Sequence, residues 1–398
     1  MSEAPWLTII GLGEDGPNSL CAASRQALDE AEIVIGPSRH LELLPDLGVQ
    51  RVAWPVPFAD GLRLLEGFRG RSVVALVSGD PFWFGAGSVI SARLAVGEWR
   101  AIPGRSTFSL AAAHLGWPLE LTLCLGLHAA PLERLRPQLA PGQRAIVLLR
   151  DGKAAEALAA YLCAEGFGET LMIMLEALGG PRARVTSARA KDFSGAFSHP
   201  IAVALEVEGR GMVLPVVAGI SDAFFDTDGQ MTKRPVRALA LSALAPKPGE
   251  TLWDIGGGSG SIGIEWCLAH PRLYAISIEP RRDRAARIRA NADRFGLDRL
   301  SVVEGEAPDA LLGLQLPQAV FIGGGLSEEL IVDLAARLSQ GTRLVAHAVT
   351  LESEALLIHW NARLGGDLLR IALAEAAPLG PRRGWSPSRA IVQWRVVL

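Results

Sequence analysis

The chain predicts an α/β protein made of two unlike halves, and three observations carry that expectation. Short apolar strands alternate with amphipathic helices over residues 251–364, the pattern of a doubly wound sheet. Three strands of the first half each run into a glycine-bearing turn: Gly11-Leu12-Gly13, Gly79-Asp80-Pro81 and Pro103-Gly104. Two strands near the end, residues 368–376 and 390–397, are joined without a helix, so they suit an antiparallel pair.

Size and composition narrow the classes. At 398 residues, with 49% hydrophobic and 20% charged side chains, the chain can bury large cores in two domains. The net charge of −3 and the lack of a basic block disfavour nucleic acid as the main substrate. Arginine greatly outnumbers lysine, which suits either a GC-rich genome or recognition of carboxylates. The four cysteines, Cys21, Cys124, Cys163 and Cys267, are scattered in apolar surroundings and read as buried free thiols of a reducing compartment. Neither they nor the dispersed histidines have metal-ligand spacing, so no metal is expected. No apolar run reaches the roughly 20 residues that span a bilayer, so a cytoplasmic location is expected.

In the second half, residues 251–254 form a first strand and residues 261–270 its helix. Strands follow at 273–279, 300–304, 318–322 and 342–349, with helices at 281–295, 327–338 and 352–364. Ser327 is placed to cap the helix at 327–338, with Glu328 and Glu329 in its first turn. Between the first strand and its helix lies Asp254-Ile255-Gly256-Gly257-Gly258-Ser259-Gly260, a turn that lets a nucleotide-bearing cofactor approach bare backbone. The pyrophosphate of a dinucleotide would be repelled by Asp254. S-adenosylmethionine has no phosphate, and its sulfonium and ammonium groups would be attracted.

The order of these motifs resembles the class I S-adenosylmethionine methyltransferases, with a Rossmann-like sheet ending in an antiparallel strand pair. The resemblance implies that Gly256, Gly258 and Gly260 form the turn against the cofactor and that Asp254 faces its methionine end. It implies that Glu279 accepts the ribose hydroxyls and that Glu306 and Ala307 lie beside the adenine. Met231 and Thr232 either line this cofactor site or begin a helix over residues 233–244 with Thr232 as N-cap.

The three turns of the first half resemble, in order and spacing, the tetrapyrrole methylase family, whose fold is two α/β subdomains with S-adenosylmethionine in the cleft between them. The second subdomain would span residues 121–207, with strands at 121–125 and 145–149 and a helix at 153–164. By this resemblance Gly79, Asp80 and Pro81 lie against the cofactor. Pro103, Gly104 and Ser106 open the helix beside the site, and Gly11 and Gly13 shape the cleft floor near the substrate. Phe84 stands where many relatives have tyrosine, and Glu14-Asp15 departs from the family's Pro-Gly-Asp continuation. Asp80 also has a purely local reading, as the cap of an Asp-Pro turn.

The expected domains are therefore residues 1–208 and 228–398, with residues 209–227 as a linker whose apolar run, 213–220, packs on one of them. The pairing resembles the corrin-ring methyltransferases of cobalamin synthesis. It implies one S-adenosylmethionine site per domain, methylation of two ring carbons and loss of carbon dioxide from an acetate arm. A small-molecule tetrapyrrole is then the partner, with no nucleic acid or membrane, and a homo-oligomer forms through the second half. Arg382 and Arg383, with Arg389, are candidates to pair with substrate carboxylates. No acid–base pair is identifiable for catalysis. A cobalt-loaded ring, a nicotinamide-dependent oxidoreductase fused to a binding module, and an idle carrier stay open as alternatives.

Overall fold

A computed structural model describes residues 5–398. The chain forms two compact units: the first runs up to Ala130 and resumes over Leu139–Met212, and the second comprises Pro131–Gln138 and Val213–Leu398.

The first unit holds two sheets. Its first part is β1 (Leu7–Leu12), α1 (Ala22–Asp29), β2 (Ile33–Gly36), α2 (Ser38–Leu43), β3 (Gln50–Ala53), α3 (Phe58–Glu66), β4 (Val73–Ser78), α4 (Gly87–Ser91), β5 (Trp99–Ile102) and α5 (Thr107–Leu115). These strands form a parallel sheet in the order β3-β2-β4-β1-β5. Alternation of side chains along the strands feeds two apolar layers: Ile10, Leu12 and Val34 on one face, Leu7, Ile9 and Ile33 on the other. The adjacent strands β4, β1 and β5 are the ones that end in the three glycine turns, which are thereby brought side by side. The second part is β6 (Leu123–Gly126), β7 (Arg144–Leu149), α6 (Gly152–Ala164), β8 (Leu171–Glu176), β9 (Arg184–Arg189) and β10 (Ile201–Glu206), in the order β6-β7-β10-β8-β9. Only the β6–β7 pair is parallel there.

The second unit contains α7 (Arg234–Leu244), β11 (Thr251–Ile255), α8 (Ser261–Ala269), β12 (Tyr274–Glu279), α9 (Arg282–Arg294), β13 (Leu300–Glu304), β14 (Ala319–Ile322), α10 (Glu328–Arg337), β15 (Arg343–Ala348), α11 (Leu351–Leu364), β16 (Asp367–Ile371), β17 (Ala374–Leu379), β18 (Arg382–Pro387) and β19 (Ile391–Val397). Seven strands form one sheet in the order β13-β12-β11-β14-β15-β19-β16. The first five are parallel, and β19 is antiparallel to both neighbours. Leu252 and Trp253 point to opposite faces and sit in separate cores, one with Trp266 and Phe321, the other with Leu334 and Trp394. Each fully buried large apolar side chain contributes about 1.5–3 kcal/mol. The strand order reverses between β11 and β14, where open α/β sheets bind ligands. Ser327 caps α10 as expected, accepting from Leu330 N at 3.1 Å.

Three local expectations are corrected. The connection between the last sheet strands is not a loop but the hairpin β17–β18, a separate two-stranded sheet. Its sequence, rich in Ala, Pro and Gly, lacks the apolar alternation by which a strand is read. Thr232 does not cap α7; Lys233 holds the cap position and makes no side-chain cap bond. Cys21 and Cys163 are exposed, Cys124 is half-buried, and Cys267 alone of the four is buried. Cys21 precedes α1 at its N-cap, which leaves the thiol outside the core despite apolar neighbours in sequence. Among the described residues, no helix is long and apolar enough to cross a membrane.

Candidate active sites

A cavity of about 740 Å³ opens along the carboxyl ends of the second unit's strands. Gly256, Gly257 and Gly258 line it as the turn after β11. Gly256 has φ +72°, and a Cβ there would lie 2.6 Å from Gly324 N, so only glycine fits. Asp254 is buried, and its Oδ2 accepts from Gly263 N at 3.2 Å and Ser277 Oγ at 3.1 Å; Oδ1 makes no hydrogen bond. Glu279 is buried at the tip of β12. Its Oε2 accepts from Gly258 N at 2.9 Å and its Oε1 from Arg281 N at 3.1 Å. Each oxygen keeps a further lone pair. The carboxylate therefore holds the turn in place and still has capacity to accept two hydroxyls. Glu306, Ala307, Met231 and Thr232 also line this cavity. Gly260, expected against the cofactor, is not in its wall. At φ +79° it caps α8, and a Cβ there would meet Ile288 Cγ2 at 2.7 Å.

Phe321, His347, Val349, Ile371, Leu373, Arg389 and Ile391 line the same cavity. Arg389 is thus in the wall, whereas Arg382 and Arg383 are exposed on β18 and outside it. The hairpin accounts for the difference: it carries Arg382 and Arg383 away from the sheet ends where Arg389 begins the return to β19.

The segment before α7 forms one lip of the cavity. Buried Arg237 secures it, donating Nε to Glu265, Nη1 to Asp222 and to the Thr232 carbonyl, and Nη2 to the Ile220 carbonyl. Glu265 in turn accepts from the backbone N–H groups of Gly219 and Ile220 at 2.6 and 3.0 Å. Further along, Arg284 of α9 donates to Asp228 and Gln230 at 2.8 and 2.6 Å.

The first unit has a cavity of about 240 Å³ lined by Ser78, Gly79, Asp80 and Ser106 together with aromatic side chains. Trp54 stacks on Phe58 at 4.8 Å, and Trp83 lies 4.8 Å from Phe108. Phe84 lines it at φ +55°, a strained value for a bulky residue. Asp80 Oδ1 accepts from Phe82 N at 2.8 Å, so it does cap its turn while facing the cavity. Ser106 caps α5, accepting from Ser109 N at 3.0 Å. Pro81, Pro103, Gly104, Gly11 and Gly13 are not in the wall. Gly11 and Gly104 instead pack backbone on backbone against Gly79 of the wall: Gly104 N donates to the Gly79 carbonyl at 3.0 Å, and Gly79 N to that of Leu12 at 3.0 Å. The departure at Glu14-Asp15 is an ionic cluster, with Glu14 between Arg39 and Arg182 and Asp15 on Arg105. Burial beside Arg39 pushes His40 down to about 3, so it is neutral at any ordinary pH.

Both halves of the chain match known families. Residues 6–194 match the model of the tetrapyrrole (corrin/porphyrin) methylases, and residues 223–398 that of the precorrin methyltransferase domain. A precorrin-6Y C(5,15)-methyltransferase [decarboxylating] of Sinorhizobium sp is 49% identical over 98% of this chain and 96% of its own length. The chain belongs to that family. The Mycobacterium tuberculosis H37Rv relative of the same description is 36% identical over 98% of this chain and 99% of its own. A crystal structure of the C-terminal domain of the Rhodobacter capsulatus precorrin-6Y C5,15-methyltransferase is 55% identical and covers 46% of this chain and 100% of that domain, with a TM-score of 0.46. The chain is accordingly a methyltransferase, and its family uses S-adenosylmethionine.

Family membership gives Asp254 a test. Burial pushes its carboxyl up to about 6, against the pull of the Ser277 and Gly263 hydrogen bonds and with a smaller push from Glu279. Above about pH 6 the ionised form dominates, which is costly to bury alone and is the form that attracts a cationic donor. Cofactor affinity of the second unit, measured by calorimetry, should therefore weaken as the pH falls through 6. Asp254→Asn should flatten the dependence; an unchanged pH profile in that variant refutes the role.

Several wall residues escaped the sequence reading. Gly323, Gly324 and Gly325 follow β14 and were visible as a glycine run after a strand. His347 sits in an apolar strand and gave no signal. Trp54 and Phe58 of the first unit belong to none of the sequence motifs, and only folding places them in a cavity wall.

Proposed function

We propose that this chain methylates precorrin-6Y at C-5 and C-15 and decarboxylates the C-12 acetate, giving precorrin-8, with one S-adenosylmethionine site in each unit. The observation that carries the reading is the cavity at the strand-order reversal. Its wall offers a glycine turn, a buried acid and a carboxylate with lone pairs to spare, and also apolar side chains with Arg389, which suit a macrocycle bearing carboxylates.

In the second unit Gly256, Gly258, Glu279, Glu306, Ala307, Met231 and Thr232 contact the cofactor, with Asp254 at its cationic end and Gly260 supporting from behind. In the first unit Gly79, Asp80 and Ser106 do so, supported by Pro81, Pro103 and Gly104, with Gly11 and Gly13 as the floor. The ring's electron-rich carbon attacks the sulfonium methyl directly, so the protein's task is alignment. Domain limits near 208 and 228, a cytoplasmic place of action and a homo-oligomer through the second unit complete the reading. Exposed Leu379 and Trp385 on the hairpin support the oligomer; light scattering showing a monomer would refute it.

The test is mass spectrometry of the product formed from precorrin-6Y and S-adenosylmethionine. Two methyl additions and one loss of carbon dioxide are expected. Glu279→Ala removes an acceptor of two hydroxyls, each charged hydrogen bond contributing about 1.5–3 kcal/mol. It should leave C-5 methylation intact and suppress the C-15 product. Turnover only of the cobalt-loaded ring, or uptake of NADH in place of S-adenosylmethionine, overturns the assignment.

A further inference from the structure

The proposed reaction of the second unit both releases and consumes a proton. When the meso carbon bonds to the sulfonium methyl, sulfur keeps the electron pair, and the carbon must then lose its own hydrogen as a proton. When the acetate arm loses carbon dioxide, the electron pair of the broken C–C bond stays on the methylene carbon, which must gain a proton to become a methyl group. The two needs cancel, so one group that accepts and then donates closes the balance.

We propose that His347 is that group: it takes the proton released at the methylated meso carbon and returns it to the carbon left by carbon dioxide. This rests on the reading of the second unit as the C-15 methylating and decarboxylating half. His347 lies at the carboxyl end of β15, two strand spacings or roughly 10 Å from the glycine-turn strand β11. It lines the same cavity as the glycine turn, whose described wall also holds the carboxylates Asp254, Glu279 and Glu306, and there it is the one imidazole, a group that can both accept and donate a proton.

The ring is fixed by two contacts. Gln393, its cross-strand partner on β19, is 5% exposed and places Oε1 3.0 Å from Nε2. Phe321 meets it edge to face at 4.9 Å and 85°. With the amide oxygen accepting, Nε2 carries the hydrogen and Nδ1 is the basic nitrogen. No hydrogen bond engages Nδ1. Burial holds the imidazole below its ordinary value, opposed by the Gln393 bond, and no neighbouring charge acts on it. A neutral imidazole accepts before it donates, so methyl transfer precedes loss of carbon dioxide. Asp254 and Glu279 hold the turn through backbone hydrogen bonds, and in the reading above they and Glu306 serve the cofactor, which leaves His347 for the ring.

The experiment uses the full chain with precorrin-6Y and S-adenosylmethionine. His347→Gln should bind the cofactor in the second unit within threefold of the parent and leave C-5 methylation unchanged. Formation of the C-15-methylated, decarboxylated product should fall about 100-fold, the scale of a lost proton-transfer group. In His347→Ala, added imidazole should restore part of that rate, which a purely structural residue would not allow. A His347→Gln product rate within threefold of the parent overturns the proposal, as does a loss in His347→Ala that imidazole leaves untouched. If the parent itself forms no C-15 product, the reading of the second unit fails instead.

Discussion

Gly11→Ala is expected to prevent the first unit from holding its native sheet, while the second unit still takes up cofactor. A Cβ at this position would lie 1.7 Å from the Gly79 carbonyl oxygen and 2.4 Å from Gly104 N. Both atoms are backbone, and the three turns are hydrogen-bonded to one another, so no rotamer change relieves the clash. Overpacking of a core costs about 1–3 kcal/mol where side chains can shift; here strands must separate, and the cost exceeds about 3 kcal/mol against a total stability of roughly 5–15 kcal/mol. Denaturation followed by tryptophan fluorescence should lose the first unit's transition. Gly13→Ala is the control: its Cβ would meet the Asp15 side-chain oxygen at 2.6 Å, which can move aside. Equal stability of the two variants would refute the close-packed floor.

Arg237→Met should destabilise the second unit by about 3–5 kcal/mol, the range for removing one partner of a buried ion pair. The side chain is fully buried, and its loss strands the Glu265 carboxylate and the Ile220 and Thr232 carbonyls. Glu265 would keep its two backbone donors, which places the effect towards the lower end. A second change, Glu265→Gln, removes the stranded charge and should recover part of the stability. Because the same guanidinium holds Thr232, the cavity lip loosens, and the single variant should show a raised KM for S-adenosylmethionine even below its melting temperature. A urea midpoint unchanged from the parent would refute this account.

Much of the fold was legible because local chemistry and packing agree. The strand, glycine turn and helix from Thr251 to Ala269 appear where the apolar run, the bare turn and the second apolar stretch set them. Ser106 and Ser327 announce their helices because an N-cap hydroxyl acts within three residues. What failed to show is non-local. Strand order decides that β19 inserts between β15 and β16, so that Gln393 reaches His347, although 46 residues separate them. The β17–β18 hairpin is held by cross-strand pairing, and its small residues and prolines carry no periodic signal. Arg389 and Arg382 looked equivalent in sequence, seven residues apart, yet only one reaches the cavity wall. Gly11 and Gly260 looked like ligand-facing glycines; their α-carbons face neighbouring backbone or a packed isoleucine instead.

The position of β19 also bears on how the polypeptide assembles. In the sheet β16 has β19 as its neighbour and no other. As the nascent chain leaves the ribosome, β16 emerges with no strand to pair with and must wait through the hairpin until β19 slides in beside it. During that interval β15 and β16 both present open edges, a hazard for association between unfinished chains. Completion of this sheet is thus a late, long-range event, as it is for the sheet of the first unit in which β10 enters last between β7 and β8, and a chaperone that shields such edges would raise the yield of both units.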